Sequence, residues 1–196
     1  MFNRRILTVA LIGLGAQVVA GVGAEAGDAD SRYAPTITNQ IGDKPVRLVL
    51  TGTAMRTKYL FNVYAIGSYV QAGARVRDAE ELAKVDVPKQ LHLIFERDID
   101  PDTMAKSFSQ AIRMNHAAPA FGQELAELEK YFRTSSIRAG DHLWLTSIPG
   151  SGFRCQVAGK PSLMIENPGF ARAAWEAYLG PRNVGVAIKS GLSSRL

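Results

Sequence analysis

Cysteine is all but missing from this chain. Cys155 stands alone, so an intramolecular disulfide is impossible and metal centres built from several thiolates are excluded. A cysteine nucleophile needs a paired base, and the simplest reading of Cys155 is a small core residue. Histidine is nearly as scarce, with only His92, His116 and His142. No two of them lie four residues apart, which removes the helical two-histidine metal signature. A single imidazole serving as a haem ligand stays open. G-x-S-x-G, H-E-x-x-H, the P-loop and G-x-G-x-x-G are all absent. No segment repeats with a solenoid-like period. The 23 basic and 18 acidic residues leave a net charge of +5, but the cations are scattered. Nothing forms the basic patch with interleaved aromatics that nucleic acid would require, and the mild basicity is read as solubility.

Long apolar runs are also absent, with one exception at the N-terminus. Arg4 and Arg5 precede an apolar stretch from Ile6 to Ala16, and Ala24-Glu25-Ala26 supplies an A-x-A pattern. Val22-Gly23-Ala24 fits that pattern nearly as well. A spanning helix needs about 20 apolar residues, whereas this stretch is glycine-rich and interrupted by Gln17. Residues 1–26 are therefore expected to be a cleavable export signal, and the mature protein to be periplasmic. Its removal would leave 21 basic and 17 acidic residues, a net charge of +4. Residues 27–35 are polar and expected to be a flexible lead-in. Residues 36–196 then form one domain, long enough to bury a core without staples.

Within that domain Val46 to Thr51 alternates as a strand, with Gly52 permitting a bend. Lys58 to Val70 is expected to be one long strand, apolar on both faces and so covered on both sides. Asp78 to Lys84 is expected to be a short helix, and Leu91 to Phe95 a strand. Asp100-Pro101 is a helix start, with Asp as N-cap and Pro in the first turn. Met104, Phe108, Ala111 and Ile112 then share one face. Pro119 is expected to open a second helix bearing Phe121, Leu125, Leu128 and Phe132. Three short strands follow, at Leu143–Ile148, Phe153–Val157 and Ser162–Ile165. Asn167-Pro168 caps a helix carrying Phe170, Ala174 and Tyr178, and a last helix runs from about Val184 to Leu192. The order of strands, helices, strands and helices predicts an α+β fold, an antiparallel sheet with a layer of helices packed on it.

Chemistry-bearing residues concentrate at Thr51 to Tyr69. Arg56 is a fixed cation beside a buried strand, and burying it is costly unless an anion meets it. Tyr64 lies eight residues on, so in an uninterrupted strand the two would share a face. Guanidinium and phenol together suit a carboxylate or an enolate oxygen. The alternative is an arginine paired with a protein acid and a tyrosine in the core. Glu96-Arg97-Asp98 is expected to be a charged loop that pairs with itself.

Gly52-x-x-x-Arg56 followed by Val63-Tyr64-Ala65-Ile66-Gly67-Ser68-Tyr69 resembles the chalcone isomerase superfamily, most of all its bacterial chalcone isomerase-like branch. The stretches Asp98–Phe108, Gly140–Gly152, Asn167–Gly180 and Lys189–Leu196 resemble the family's later elements in order and spacing. The resemblance implies an open-faced α+β sandwich with a ligand cleft between sheet and helices. It also implies that Arg56 is the cleft arginine, which polarises a ketone in the isomerases and holds a carboxylate in the fatty-acid binders. Tyr64 stands where the isomerases carry threonine and resembles the fatty-acid-binding branch. Met104, Ser107 and Ala111 stand where the isomerases carry tyrosine, lysine and asparagine, and Ala171 replaces a hydroxyl-bearing residue. Lys106 and Asn115 lie nearby in the sequence. Most of the cyclising constellation is thus absent, and no residue is assigned a catalytic role.

The resemblance, taken with the N-terminal signal, implies an exported binding protein for a fatty acid or similar apolar carboxylate. Arg56 and Tyr64 would hold the head group, with Met104 and Phe108 along the tail. No metal and no transmembrane segment in the mature chain are expected. The alternatives are an isomerase or intramolecular lyase using Arg56 as electrophile, and a haem-binding protein.

Overall fold

The computed structural model describes residues 29–41 and 44–196. The expected export signal lies outside this range. Seven strands form one sheet in consecutive order, every neighbouring pair antiparallel. They are β1 (Thr36–Ile41), β2 (Lys44–Lys58), β3 (Phe61–Gln71), β4 (Lys89–Phe95), β5 (His142–Ile148), β6 (Gly152–Val157) and β7 (Leu163–Ile165). Among the described residues five full helices accompany them: α1 (Ala79–Lys84), α2 (Pro101–Arg113), α3 (Gly122–Arg133), α4 (Pro168–Leu179) and α5 (Val186–Leu192). This is the α+β fold expected from the order of elements.

The helices start where side chains can satisfy their free amides. Asp78, Asp100 and Asn167 each accept a hydrogen bond from a first-turn N–H, and Pro101 and Pro168 occupy positions that have no amide to satisfy. The expectation for Pro119 was wrong by one turn. Pro119 lies in a turn that precedes α3, and the helix begins at Gly122 after Phe121, whose φ is 54°. A proline in a turn and a proline in a first helical turn carry the same local signal. All five helices contribute to one apolar core on the inner face of the sheet, centred on Phe95, Phe132, Phe153, Phe170 and Trp175.

The largest departure lies between β2 and β3. The stretch expected to be one strand is broken by a two-residue hairpin turn at Tyr59 and Leu60, with φ 49° and 68°. Positive φ at both central residues is the type I′ pattern, which normally selects Asn and Gly. Tyr-Leu gives no such signal. Two bulges interrupt the pairing of these strands, one between Leu50 and Gly52 and one between Arg56 and Thr57. The first reverses which side of the sheet β2 presents. Leu48 and Leu50 pack on the outer face, whereas Ala54 joins the inner core. Thr51, the extra residue, donates its hydroxyl to the Leu192 carbonyl at 2.8 Å, so the end of α5 sits on the bulge.

The outer face has a smaller apolar cluster of Ala29, Tyr33, Ile41, Leu48, Leu50, Ala65 and Tyr69. Ala29 and Tyr33 belong to the stretch expected to be a flexible lead-in, yet both are buried. The Tyr33 ring lies directly on Gly67, where an added Cβ would come within 2.7 Å of it. Among the described residues no helix is long and apolar enough to cross a membrane.

Candidate functional site

Arg56 and Tyr64 are register partners across the β2–β3 hairpin. Both point to the inner side, where Tyr64 packs edge-on to Phe95 with ring centres 5.8 Å apart. The Arg56 guanidinium donates to the Val184 carbonyl in the loop before α5. Among the described residues it enters no ion pair. The expected alternative, an arginine neutralised by a protein carboxylate, is therefore not what surrounds it.

The Tyr178 hydroxyl, from α4, meets that of Tyr64. Burial pushes the Tyr64 phenol up from its ordinary pKa, while Arg56 and the Tyr178 hydrogen bond partly oppose the rise. The Tyr178 phenol is pushed up further, by burial first and then by Tyr64. Both stay protonated through the physiological range. A phenol that keeps its proton can donate a hydrogen bond to a nearby acceptor.

These groups line a cavity of about 660 Å³. Its walls are the β2–β3 hairpin, the segment after β4, the inner face of α2, Tyr178, and Asn183 with Val184. Met104 and Phe108 line it from α2, and Phe108 is stacked on Phe132 of α3 at 4.8 Å. Ile99, Ala111 and Met114 extend the apolar wall, while Lys58 and Arg97 stand with Arg56 as its cations. Asp98 and Asp100 also border it, but each is engaged with backbone: Asp98 accepts from the Ala139 amide and Asp100 caps α2. The structure thus brings Arg56, Tyr64, Met104 and Phe108, remote in sequence, onto one cavity.

Ser107 and Ala111 line the same wall as Met104, so the three positions where isomerases carry polar groups do face this space. Lys106 is exposed on α2 away from it, and Asn115 donates to the Arg182 carbonyl at 2.6 Å. Neither restores the missing groups. Ala171 is buried in the core and does not border the cavity.

Sequence reasoning missed Tyr178, Asn183 and Arg97. Tyr178 was legible only as part of the apolar face of its helix. Arg97 was expected to pair within its own loop. Instead Glu96 pairs with Arg32, Asp98 with the Ala139 amide, and Arg97 lies over the Phe61 ring at 5.7 Å. Alternation along a strand end sends adjacent charges to opposite sides, so they do not meet.

No histidine borders the cavity. His92 and His142 meet through Nε2 and Nδ1 at 2.8 Å, and His92 stacks on Trp144. His116 pairs with Glu176 at 2.7 Å. A haem in this cavity would find no imidazole ligand from the chain. Cys155 is buried in β6, and burial pushes its thiol well up, as expected of a core residue. Among the described residues no cluster of His, Cys, Asp or Glu could hold a metal ion.

The fold is similar to that of the crystal structure of a fatty-acid binding protein from Arabidopsis thaliana. The TM-score is 0.58 at 16% identity, covering 83% of this chain and 92% of that one. No curated protein sequence matches. The family model described as chalcone isomerase-like matches residues 33–192, a span that includes the seven strands and five helices described above and every residue of the cavity. The chain belongs to the chalcone isomerase-like family.

Proposed function

We propose that this protein binds a fatty acid or a similar apolar carboxylate in the cavity, and does so after export to the periplasm. The observation that carries the reading is the Arg56 guanidinium, half-buried at an apolar cavity with a backbone carbonyl as its partner and no carboxylate from the described chain. A cation so placed is costly until an anion arrives, and a ligand carboxylate supplies one. The phenol proton of Tyr64 offers a second hydrogen bond to the same head group. Met104, Phe108, Ala111 and Met114 would take the tail, each buried methylene contributing about 0.8 kcal/mol. The volume lies within the roughly 300–1,000 Å³ of small-molecule sites. The isomer-forming groups missing at Met104, Ser107 and Ala111 support binding without ring closure. The fatty-acid binding protein of similar fold is consistent with the reading, and the N-terminal A-x-A segment supports export.

Two measurements test it. Native mass spectrometry of protein purified from its own host is expected to show a bound lipid acid and a chain starting near residue 27. Calorimetry after delipidation is expected to show laurate or palmitate binding. A protein that carries no lipid and binds neither acid would overturn the ligand assignment, and a retained N-terminus would overturn the export assignment.

A further inference from the structure

We propose that the tip of the β2–β3 hairpin docks on an anionic phospholipid surface. Tyr59, Leu60 and Phe61 are consecutive and 83%, 97% and 64% exposed. Among the described residues only Val186 and Leu196 are comparable large apolar groups in solvent, and they stand apart from one another in sequence. The turn holds Tyr59 and Leu60 in left-handed backbone, a conformation that Asn and Gly take far more easily. A turn serving only to reverse the chain has no need of two such side chains. This one accepts backbone strain and holds an aromatic and a leucine clear of the protein.

Charge selects the partner. Lys58 lies over the Tyr59 ring at 5.5 Å and Arg97 over the Phe61 ring at 5.7 Å. Both are exposed, and among the described residues neither has an ion-pair partner. The nearby acids, Asp98 and Asp100, are committed to backbone amides. An apolar tip ringed by free cations matches the boundary of a bilayer. Aromatic rings settle at headgroup level there, aliphatic groups enter the acyl region, and lysine and arginine meet phosphate. A second apolar protein surface would match the tip but not the cations. Lys58, Tyr59 and Phe61 also border the cavity, so a docked tip sets the cavity mouth against the lipid. Delivery of an acyl chain from bilayer to cavity rests on the function proposed above; docking does not.

The test is flotation of host-purified protein with vesicles of phosphatidylcholine alone and of phosphatidylcholine with about 30% phosphatidylglycerol as the anionic lipid. Binding is expected only to the anionic vesicles and should weaken with salt. The variant Leu60→Gly, at the one tip residue that does not border the cavity, installs a residue that the turn favours, so it should fold at least as well. It is expected to lose at least tenfold in partitioning while keeping palmitate affinity in solution. Lys58→Glu/Arg97→Glu should lose the preference for anionic lipid. Equal partitioning of the tip variant and the parent protein would overturn the proposal. So would a self-associated protein that the tip variant disperses and that ignores vesicles. Failure of palmitate binding with tip-dependent flotation intact would remove the ligand reading and leave the docking surface standing.

Discussion

Arg56 and Tyr64 face one another as a cross-strand pair, separated by the turn at Tyr59-Leu60 and one bulged residue of β3. Eight residues of chain therefore fold back on themselves to place guanidinium and phenol side by side. Arg56 donates to the Val184 carbonyl, and Tyr64 meets the Tyr178 hydroxyl. Each partner of the pair makes a separate prediction.

Arg56→Gln should lower laurate affinity by roughly 30-fold or more, as expected for a charge-assisted hydrogen bond worth about 2–3 kcal/mol. Arg56→Lys should recover part of it, since a point charge replaces a fork. Calorimetry on the three proteins checks the order. Equal affinities would place the carboxylate elsewhere.

Tyr64→Phe should cost binding about fivefold, the loss of a neutral hydrogen bond of about 1 kcal/mol. Tyr178→Phe should affect binding less, because Tyr64 and not Tyr178 is the cross-strand partner of Arg56. The double variant should show a loss smaller than the sum of the two, measured as a double-mutant cycle.

Ala111→Phe should shorten the acceptable tail. The residue lines the cavity from α2 and is half-buried, so the larger ring has the cavity to enter. Palmitate affinity is expected to fall by tenfold or more while that of a short acid such as octanoate changes little. A uniform loss across chain lengths would place the tail away from α2.

Gly191→Ala should destabilise the fold by about 3 kcal/mol, as overpacking does. Its Cβ would come within 2.4 Å of the Thr53 carbonyl, where α5 lies on β2. Gly122→Ala, with nothing within 4 Å, is the control and should be near neutral. Urea unfolding of the two variants reads the difference directly.

His92 gives stability a pH dependence. Burial, together with His142, lowers its pKa to about 4, against an unfolded value of about 6.5. Between those values the unfolded chain binds more protons, so stability rises with pH across the window. The contribution is complete above about 6.5 and lost as pH falls through about 4. His92→Gln should flatten the slope of unfolding free energy from pH 4 to 6.5, measured by urea titration at each pH. A slope equal to that of the parent protein would show that other groups carry it.

Much of this architecture was legible in residue order. Asp100-Pro101 and Asn167-Pro168 mark their helices because a side-chain acceptor and an amide-free residue suit a helix start wherever the fold puts it. Close strand spacing over 143–165 required antiparallel pairing, and that is the pairing found. Arg56 and Tyr64 were paired for a reason the structure replaces. Even spacing along one strand predicted a shared face, whereas a hairpin delivers it. The Tyr-Leu turn was invisible because its conformation is imposed by the strands it joins rather than by local propensity. Tyr178 escaped because a hydroxyl on an apolar helix face becomes a site component only when a partner 114 residues earlier is known to meet it.

The bulge at Thr51 gives the chain a point of unusual leverage. Upstream of it Leu48 and Leu50 belong to one side of the sheet; downstream Ala54 and Arg56 belong to the other. Deleting that one threonine would restore regular alternation and leave Arg56 opposite Tyr64, facing the cavity, but it would remove the hydroxyl on which the end of α5 sits. The extra codon therefore serves the seat of the C-terminal helix rather than the aim of the guanidinium.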